Sequence, residues 1–264
     1  MHIHWIDQYR GGASLVHRLD ARVKLLLALA YILVASLTPV GAWMAYGLLW
    51  AFVAAATLIS GLGVGLVQRR ALVAVPFALA AITVLFATDG PLLFTLSLGG
   101  WQLRATEPGA VRFVSIMLKS WLSVQAAVIL AGTTPFPDLM TAMRALRFPR
   151  ALVAIISFMW RYIFVLVDEA MRLRRARDAR SAVRPGLKSG GPVAWRARVV
   201  GGMAGNLFLR SIDRSERIYQ AMVARGYQGE LRALTPSHLH SSDVGIGIAT
   251  AAFLILVLLV GIFA

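Results

Sequence analysis

Several apolar stretches, each near the roughly 20 residues that cross a bilayer as a helix, constrain this chain more than any other feature. Val244 to Ala264 carries no charge, and Ala42 to Gly65 is nearly as clean. Phe113 to Gly132 is apolar apart from Lys119 and a few polar residues. Val23 to Thr38 and Ala71 to Ala87 are shorter, so they tilt little or borrow length from their flanks. The rest of the chain agrees: 58% of residues are apolar, 15% are charged, and the mean hydropathy is +0.71. The expected fold is an all-α integral membrane protein with about five transmembrane helices and a helical cytoplasmic coupling domain. Met1 to Gly12 is polar and aromatic rather than signal-like, so the first apolar stretch is expected to be retained.

Charge then orients the spans. The formal net charge is +15, and 18 of the 27 Lys/Arg lie between Gly132 and His240 against 7 of the 12 Asp/Glu. In a soluble protein such a surplus would suggest nucleic acid. Beside membrane spans it marks the cytoplasmic side, where basic loops accumulate, and no nucleic-acid partner is expected. Anionic headgroups of the bilayer and an acidic partner can both use the same charge. Arg18, Arg22 and Lys24 place the N-terminus inside, and Gln68-Arg69-Arg70 is a second internal loop. The Pro39 to Gly41 turn and Thr88 to Ala110 are external, and the last helix leaves the C-terminus outside. Three parts follow: a membrane domain at 1–132 with four spans, a coupling-helix domain at 133–243, and a C-terminal span at 244–264.

Within these parts, Thr88 to Ala110 has turn signals at Asp89-Gly90-Pro91 and Gly99-Gly100, and is expected to be a re-entrant or interfacial loop. The run Gly61-Leu62-Gly63-Val64-Gly65 lacks a following Gly-Lys-Ser/Thr, so it is no phosphate loop; its glycines are assigned to close helix packing. Pro135-Phe136-Pro137-Asp138 opens a short amphipathic helix ending before Phe148-Pro149. A long helix from Ala151 begins embedded and continues into the cytoplasm through Arg172, Arg174, Arg175, Arg177 and Arg180. After a Gly-rich turn at Leu187 to Pro192, Val193 to Arg210 forms one helix. Ser211 to Arg225 forms the next, with Gly226 in the left-handed position after its end.

Catalytic chemistry finds little support. The polar candidates inside spans are Lys119, Ser115, Ser120, Ser123, Gln125, Ser157 and Arg161, with no histidine and no acidic pair among them. That set lacks a Ser/His nucleophile, an aspartyl dyad and a proton relay; Lys119 is assigned to snorkelling toward the outer interface. The chain has no cysteine, which removes disulfides and thiolate ligands. His2/His4 and His238/His240 each form a His-x-His pair without nearby completing ligands, so no metal site and no cofactor are expected. A membrane enzyme acting on lipid-like substrates would need a carboxylate cluster at the interface. Asp168-Glu169 and Asp178 are the candidates, and arginines surround them.

Two helix ends remain. Ala224-Arg225-Gly226 closes one basic helix, and Ala179-Arg180-Ser181 closes another about 45 residues upstream. A cation at a helix C-terminus gains only ~0.3–1 kcal/mol from the macrodipole. That explains one such arginine more easily than two matched ones. Guanidinium also forks onto carboxylates in a way lysine does not copy. These tripeptides, the run Leu15 to Lys24 and the stretch Phe158 to Glu169 together resemble the transmembrane (T) component of energy-coupling-factor transporters, most closely the cobalt-type subfamily CbiQ. The resemblance implies a non-catalytic scaffold joining two ABC-type ATPases to a substrate-capturing membrane S component, in a bacterial inner membrane. It implies that Ala179, Arg180, Ser181, Ala224, Arg225 and Gly226 dock the ATPases, with Ser181 in place of the usual glycine and Arg177 a conceivable substitute for Arg180. Met140 and Met143 are assigned to S-component contact, because methionine packs adaptably on a sliding surface. Cobalt is the expected cargo, with nickel or a vitamin as alternatives.

Overall fold

The computed structural model describes residues 8–98, 101–180, 192–229 and 239–263. In chain order the elements are α1 (Leu15–Arg18), α2 (Ala21–Leu37), α3 (Trp43–Ser60), α4 (Val64–Ala71), a 3-10 turn (Leu72–Ala74), α5 (Val75–Leu79) and α6 (Ile82–Ala87). A hairpin of β1 (Leu92–Leu98) and β2 (Trp101–Thr106) precedes α7 (Glu107–Thr133), α8 (Phe136–Ala145), α9 (Arg150–Arg180), α10 (Val193–Ala224) and α11 (Ser241–Phe263). Among the described residues, α3, α7, α9 and α11 are long and apolar enough to cross a membrane. One compact unit is made of His4–Ala145 and Thr235–Ala264, the other of Leu146–Leu234.

The first unit is organised around α2 and α7. A helix leaves its last carbonyls without intrahelical partners, and in an apolar surrounding each must find a donor. At the end of α7, Leu130 O accepts from the Thr134 amide at 3.0 Å and Gly132 O from the Arg10 amide at 3.0 Å. Thr133 O accepts from Lys24 Nζ at 3.1 Å. At the end of α2, Val34 O accepts from the Thr38 amide at 2.9 Å. There Ser36 O accepts from Lys119 Nζ at 3.0 Å. Each helix therefore lends a lysine to the other's carbonyl end, which holds the two antiparallel. Lys119 sits near the Pro39–Gly41 turn, whose Gly41 amide donates to Ser115 Oγ at 3.2 Å. This is the end of the unit assigned outside by charge.

The opening segment explains the other end. Ser14 caps α1 and Asp20 caps α2, whose Arg22 amide donates to Asp20 Oδ1 at 2.8 Å. The His17 ring lies between Arg10 O, 2.9 Å from Nε2, and Ser14 Oγ, 2.7 Å from Nδ1. A carbonyl only accepts, so Nε2 donates and the serine hydroxyl serves Nδ1. Lys24 is 8% exposed and also reaches His17 O at 3.4 Å. The run Leu15 to Lys24 thus ties α1, α2 and the end of α7 together.

Around this pair, Tyr31, Phe52 and Phe253 stack across α2, α3 and α11 with ring centroids 5.9 and 5.5 Å apart. The Tyr31 hydroxyl donates to Leu49 O at 3.1 Å. Gly261 lets α11 approach closely: a Cβ there would lie 3.2 Å from Thr38 and 3.3 Å from Ala45. Gly247 would meet Val23 at 3.3 Å. Helix α11 therefore runs parallel to α2 and begins at the Lys24 end.

Three expectations change. Ala71 to Ala87 is not one helix: it packs along α7 as the 3-10 turn, α5 and α6, with Leu85 O close beside Gly109. Pro76 lies within that stretch and removes an amide donor. Thr88 to Ala110, expected as a loop, contains an antiparallel hairpin pairing Leu98 with Trp101 and Leu92 with Thr106, an insertion in an all-α membrane fold. Gly61 and Gly63 have φ of +68° and +85° with open space where a Cβ would stand. They build the turn between α3 and α4 instead of serving packing. Lys24→Met should lower stability by about 1.5–3 kcal/mol, the usual worth of hydrogen bonds to a charged group. Thermal unfolding followed by tryptophan fluorescence in detergent measures it, and Lys119→Met, at the more exposed pair, should do less.

Candidate partner-docking helices

The unit Leu146–Leu234 holds both arginine-ended helices. α9 is one continuous helix of 31 residues. The two helices expected over Val193 to Arg225 are a single α10 of 32 residues. No proline or glycine lies between Asn206 and Ala224 to break the helix at the expected boundary. Ser211 and Ser215 turn their hydroxyls back onto Phe208 O at 2.7 Å and Ile212 O at 2.8 Å instead of capping a new helix.

The end of α10 forms a Schellman cap. The Gly226 amide donates to Val223 O at 2.9 Å, and the Tyr227 amide donates to Met222 O at 3.0 Å. Gly226 has φ of +80°, the left-handed conformation this cap needs. Arg225 is the capping residue itself, and its side chain is exposed. Arg180 is the last residue of α9 and is also exposed. Neither guanidinium pairs with a carboxylate among the described residues. Ser181 lies outside them, so the cap of α9 is not described. Arg174 and Arg177 each approach Asp178 at 3.9 Å, so Arg177 is already partly neutralised.

The two helices meet at a carboxylate. Glu169 Oε2 accepts from Arg172 Nη2 at 2.6 Å, and Oε1 accepts from Arg210 Nη1 of α10 at 2.7 Å. A cleft of about 460 Å³ runs from there between Ile155, Phe158 and Tyr162 of α9 and Ile212, Ile218 and Met222 of α10. The C-terminal arm of α10 therefore runs back along the first half of α9. Arg180 and Arg225 leave the meeting point in opposite directions. At 1.5 Å of rise per residue they lie about 16 and about 22 Å from it along their axes. The sequence showed each arginine but not their opposition, which depends on how the helices cross. It also marked Glu169 as a carboxylate among arginines without naming Arg210 as its partner.

Of the assigned S-component contacts, Met140 is buried and Met143 is half-buried on α8, which packs on α2 in the first unit. His2, His4 and His238 lie outside the described residues. His240 Nδ1 is 3.9 Å from Asp243 Oδ2. Among the described residues, no three His, Asp or Glu side chains converge as metal ligands would.

The membrane-length apolar helices among the described residues define a multi-pass membrane protein. Residues 12–236 match the family CbiQ, described as cobalt transport protein. The chain belongs to that family and is a CbiQ-like transmembrane component of the energy-coupling-factor type. It is 27% identical over 161 residues to the cobalt transport protein CbiQ of Rhodobacter capsulatus, covering 60% of this chain and 62% of that one. It is 28% identical over 163 residues to CbiQ of Salmonella typhimurium, covering 60% and 69%. The energy-coupling factor transporter transmembrane protein EcfT of Bacillus subtilis is 25% identical over 234 residues, covering 85% and 84%.

Gly226→Val should cost about 1–2 kcal/mol, because a side chain strains the left-handed conformation even in open space. Hydrogen exchange at Gly226 and Tyr227 should accelerate while the middle of α10 stays protected.

Proposed function

We propose that this chain is the coupling scaffold of an importer. It joins two cytoplasmic ABC-type ATPases to a membrane S component, with cobalt ion as the cargo. The observation that carries the reading is the pair of exposed arginines at helix ends facing opposite ways, neither paired with a carboxylate among the described residues. Two ATPases need two separate docking points. In this reading Ala179-Arg180-Ser181 and Ala224-Arg225-Gly226 each enter a carboxylate-bearing groove, one per ATPase. The chain does not hydrolyse ATP itself. The cobalt assignment leans on the names of the family and of its Rhodobacter and Salmonella relatives; nickel or a vitamin would use the same scaffold.

The orientation follows from charge, with the N-terminus and the basic unit in the cytoplasm of a bacterial inner membrane. α7 ends, and α11 begins, at the Lys24 end of the first unit. The intervening chain must then cross an even number of times or not at all. This supports α9 as a cytoplasmic coupling helix despite its apolar first half. Together with α2 and the broken 72–87 stretch, α3, α7 and α11 would make five crossings.

Removing one partner of a desolvated charge pair costs ~2–5 kcal/mol in affinity. Arg225→Glu is therefore expected to release ATPase subunits during affinity purification, with Arg180→Glu similar or weaker. An intact, active complex carrying both changes would sink the docking reading.

For the S component, the half-buried Met143 offers the accessible contact, since a charge at the buried Met140 would disturb α8 itself. Met143→Glu should cut uptake while ATPases still co-purify. Unchanged uptake would assign Met143 to lipid.

A further inference from the structure

A cavity of about 310 Å³ lies at the Lys24 end of the membrane unit, within the ~300–1,000 Å³ range of ligand pockets. Its walls come from α2, α3, α7 and α11, including Phe52, Ile129 and Ile246. α1 closes one side with Leu15, Val16 and the capping Leu19. The polar side chains of Lys24, Tyr31 and Thr133 on this wall are already engaged. Lys24 Nζ donates to Thr133 O at 3.1 Å, the Tyr31 hydroxyl to Leu49 O at 3.1 Å, and Thr133 Oγ1 to Ile129 O at 2.8 Å. A water held there would want about two to four polar partners, so an almost wholly apolar wall favours hydrocarbon. Left empty, the space would forfeit the dispersion contacts of its lining.

Leu15 lines the cavity yet is 70% exposed, so it stands at the mouth. The far face of α1 is held in place, because His17 lies between Arg10 O and Ser14 Oγ. Successive helix residues turn by about 100°, which puts Leu15, Val16 and Leu19 on one side and Arg18 at their flank. Arg18 is exposed and pairs with no carboxylate among the described residues. A guanidinium forks onto phosphate as it does onto carboxylate, and basic pockets beside membrane spans take acidic headgroups. We infer that the cavity holds one acyl chain of an anionic phospholipid whose phosphate pairs with Arg18. The tail supplies the binding, by leaving water for an apolar wall. The head supplies the preference, and the bound lipid fills the space that α1, α3 and α11 leave beside Lys24.

The test places the full chain in nanodiscs of equal phosphatidylglycerol and phosphatidylcholine, and counts by native mass spectrometry the lipids it retains on release. One phosphatidylglycerol per chain should survive, preferred over phosphatidylcholine by about fivefold, the usual worth of one basic residue at an anionic surface. Arg18→Gln should still retain one lipid, with that preference lost. Ala56→Phe, which fills the cavity from α3, should retain none. It should also lose the rise in melting temperature that phosphatidylglycerol gives the unaltered chain in detergent. Ala28→Leu fills the cavity from α2 and makes the same test if Ala56→Phe does not fold. The same lipid on a folded, filled variant would place it on the outer surface of the helices and overturn the site. No lipid on the unaltered chain would leave the cavity to a protein segment and overturn it equally. Equal retention of the two lipids by the unaltered chain, or an unchanged preference in Arg18→Gln, would overturn the pairing of phosphate with Arg18. None of these outcomes depends on whether Arg180 and Arg225 dock ATPases.

Discussion

The exchange of lysines between α2 and α7 holds the membrane unit together. Helices can span hydrocarbon because their amides and carbonyls satisfy one another, but the last carbonyls of each helix are left over. Here Lys24 closes α7 at Thr133 and Lys119 closes α2 at Ser36. The two bonds lie at opposite ends of an antiparallel pair and so fix its register as well as its direction. α3 and α11 then pack against a settled surface, through the Tyr31–Phe52–Phe253 stack and the close approach at Gly261. A lysine inside an apolar span invites a functional reading. In this chain both such lysines close the carbonyl end of a neighbouring helix.

The unit Leu146–Leu234 is built on a different principle. Phe208, Leu209, Ile212 and Tyr219 are exposed on α10, as are Leu152, Ile155 and Met159 on α9. Its interior contact is a cleft with one charged meeting point. Stability from burial is low in such an arrangement, and freedom to rearrange is high.

The membrane class and the glycine-capped arginine end were both legible in the residues. Gly226 after a run of helix formers permits few alternatives, and it occupies the left-handed cap as expected. The short helix starting at Phe136-Pro137-Asp138 was equally clear. Elsewhere one residue type supports two roles, and local sequence does not separate them. Gly61 and Gly63 read as packing glycines yet make a turn; Ser211 read as a helix start yet lies inside α10. Ala71 to Ala87 is apolar enough for a span, but α7 beside it supports three short pieces in place of one helix. In Thr88 to Ala110 the turn signals were visible and the strand pairing was not, because pairing depends on two segments meeting.

Sequence by itself determined what each residue could tolerate: apolar runs that water rejects, charges that need water or a partner, and a glycine that permits a left-handed end. Tertiary structure alone decided the partners. Lys24 and Thr133 are 109 positions apart, and Glu169 and Arg210 are 41 apart. No local preference of either residue names the other. Such pairs form only once helix packing has brought a leftover acceptor within reach of a leftover donor. The two arginine ends likewise point apart because the C-terminal half of α10 runs back along the first half of α9.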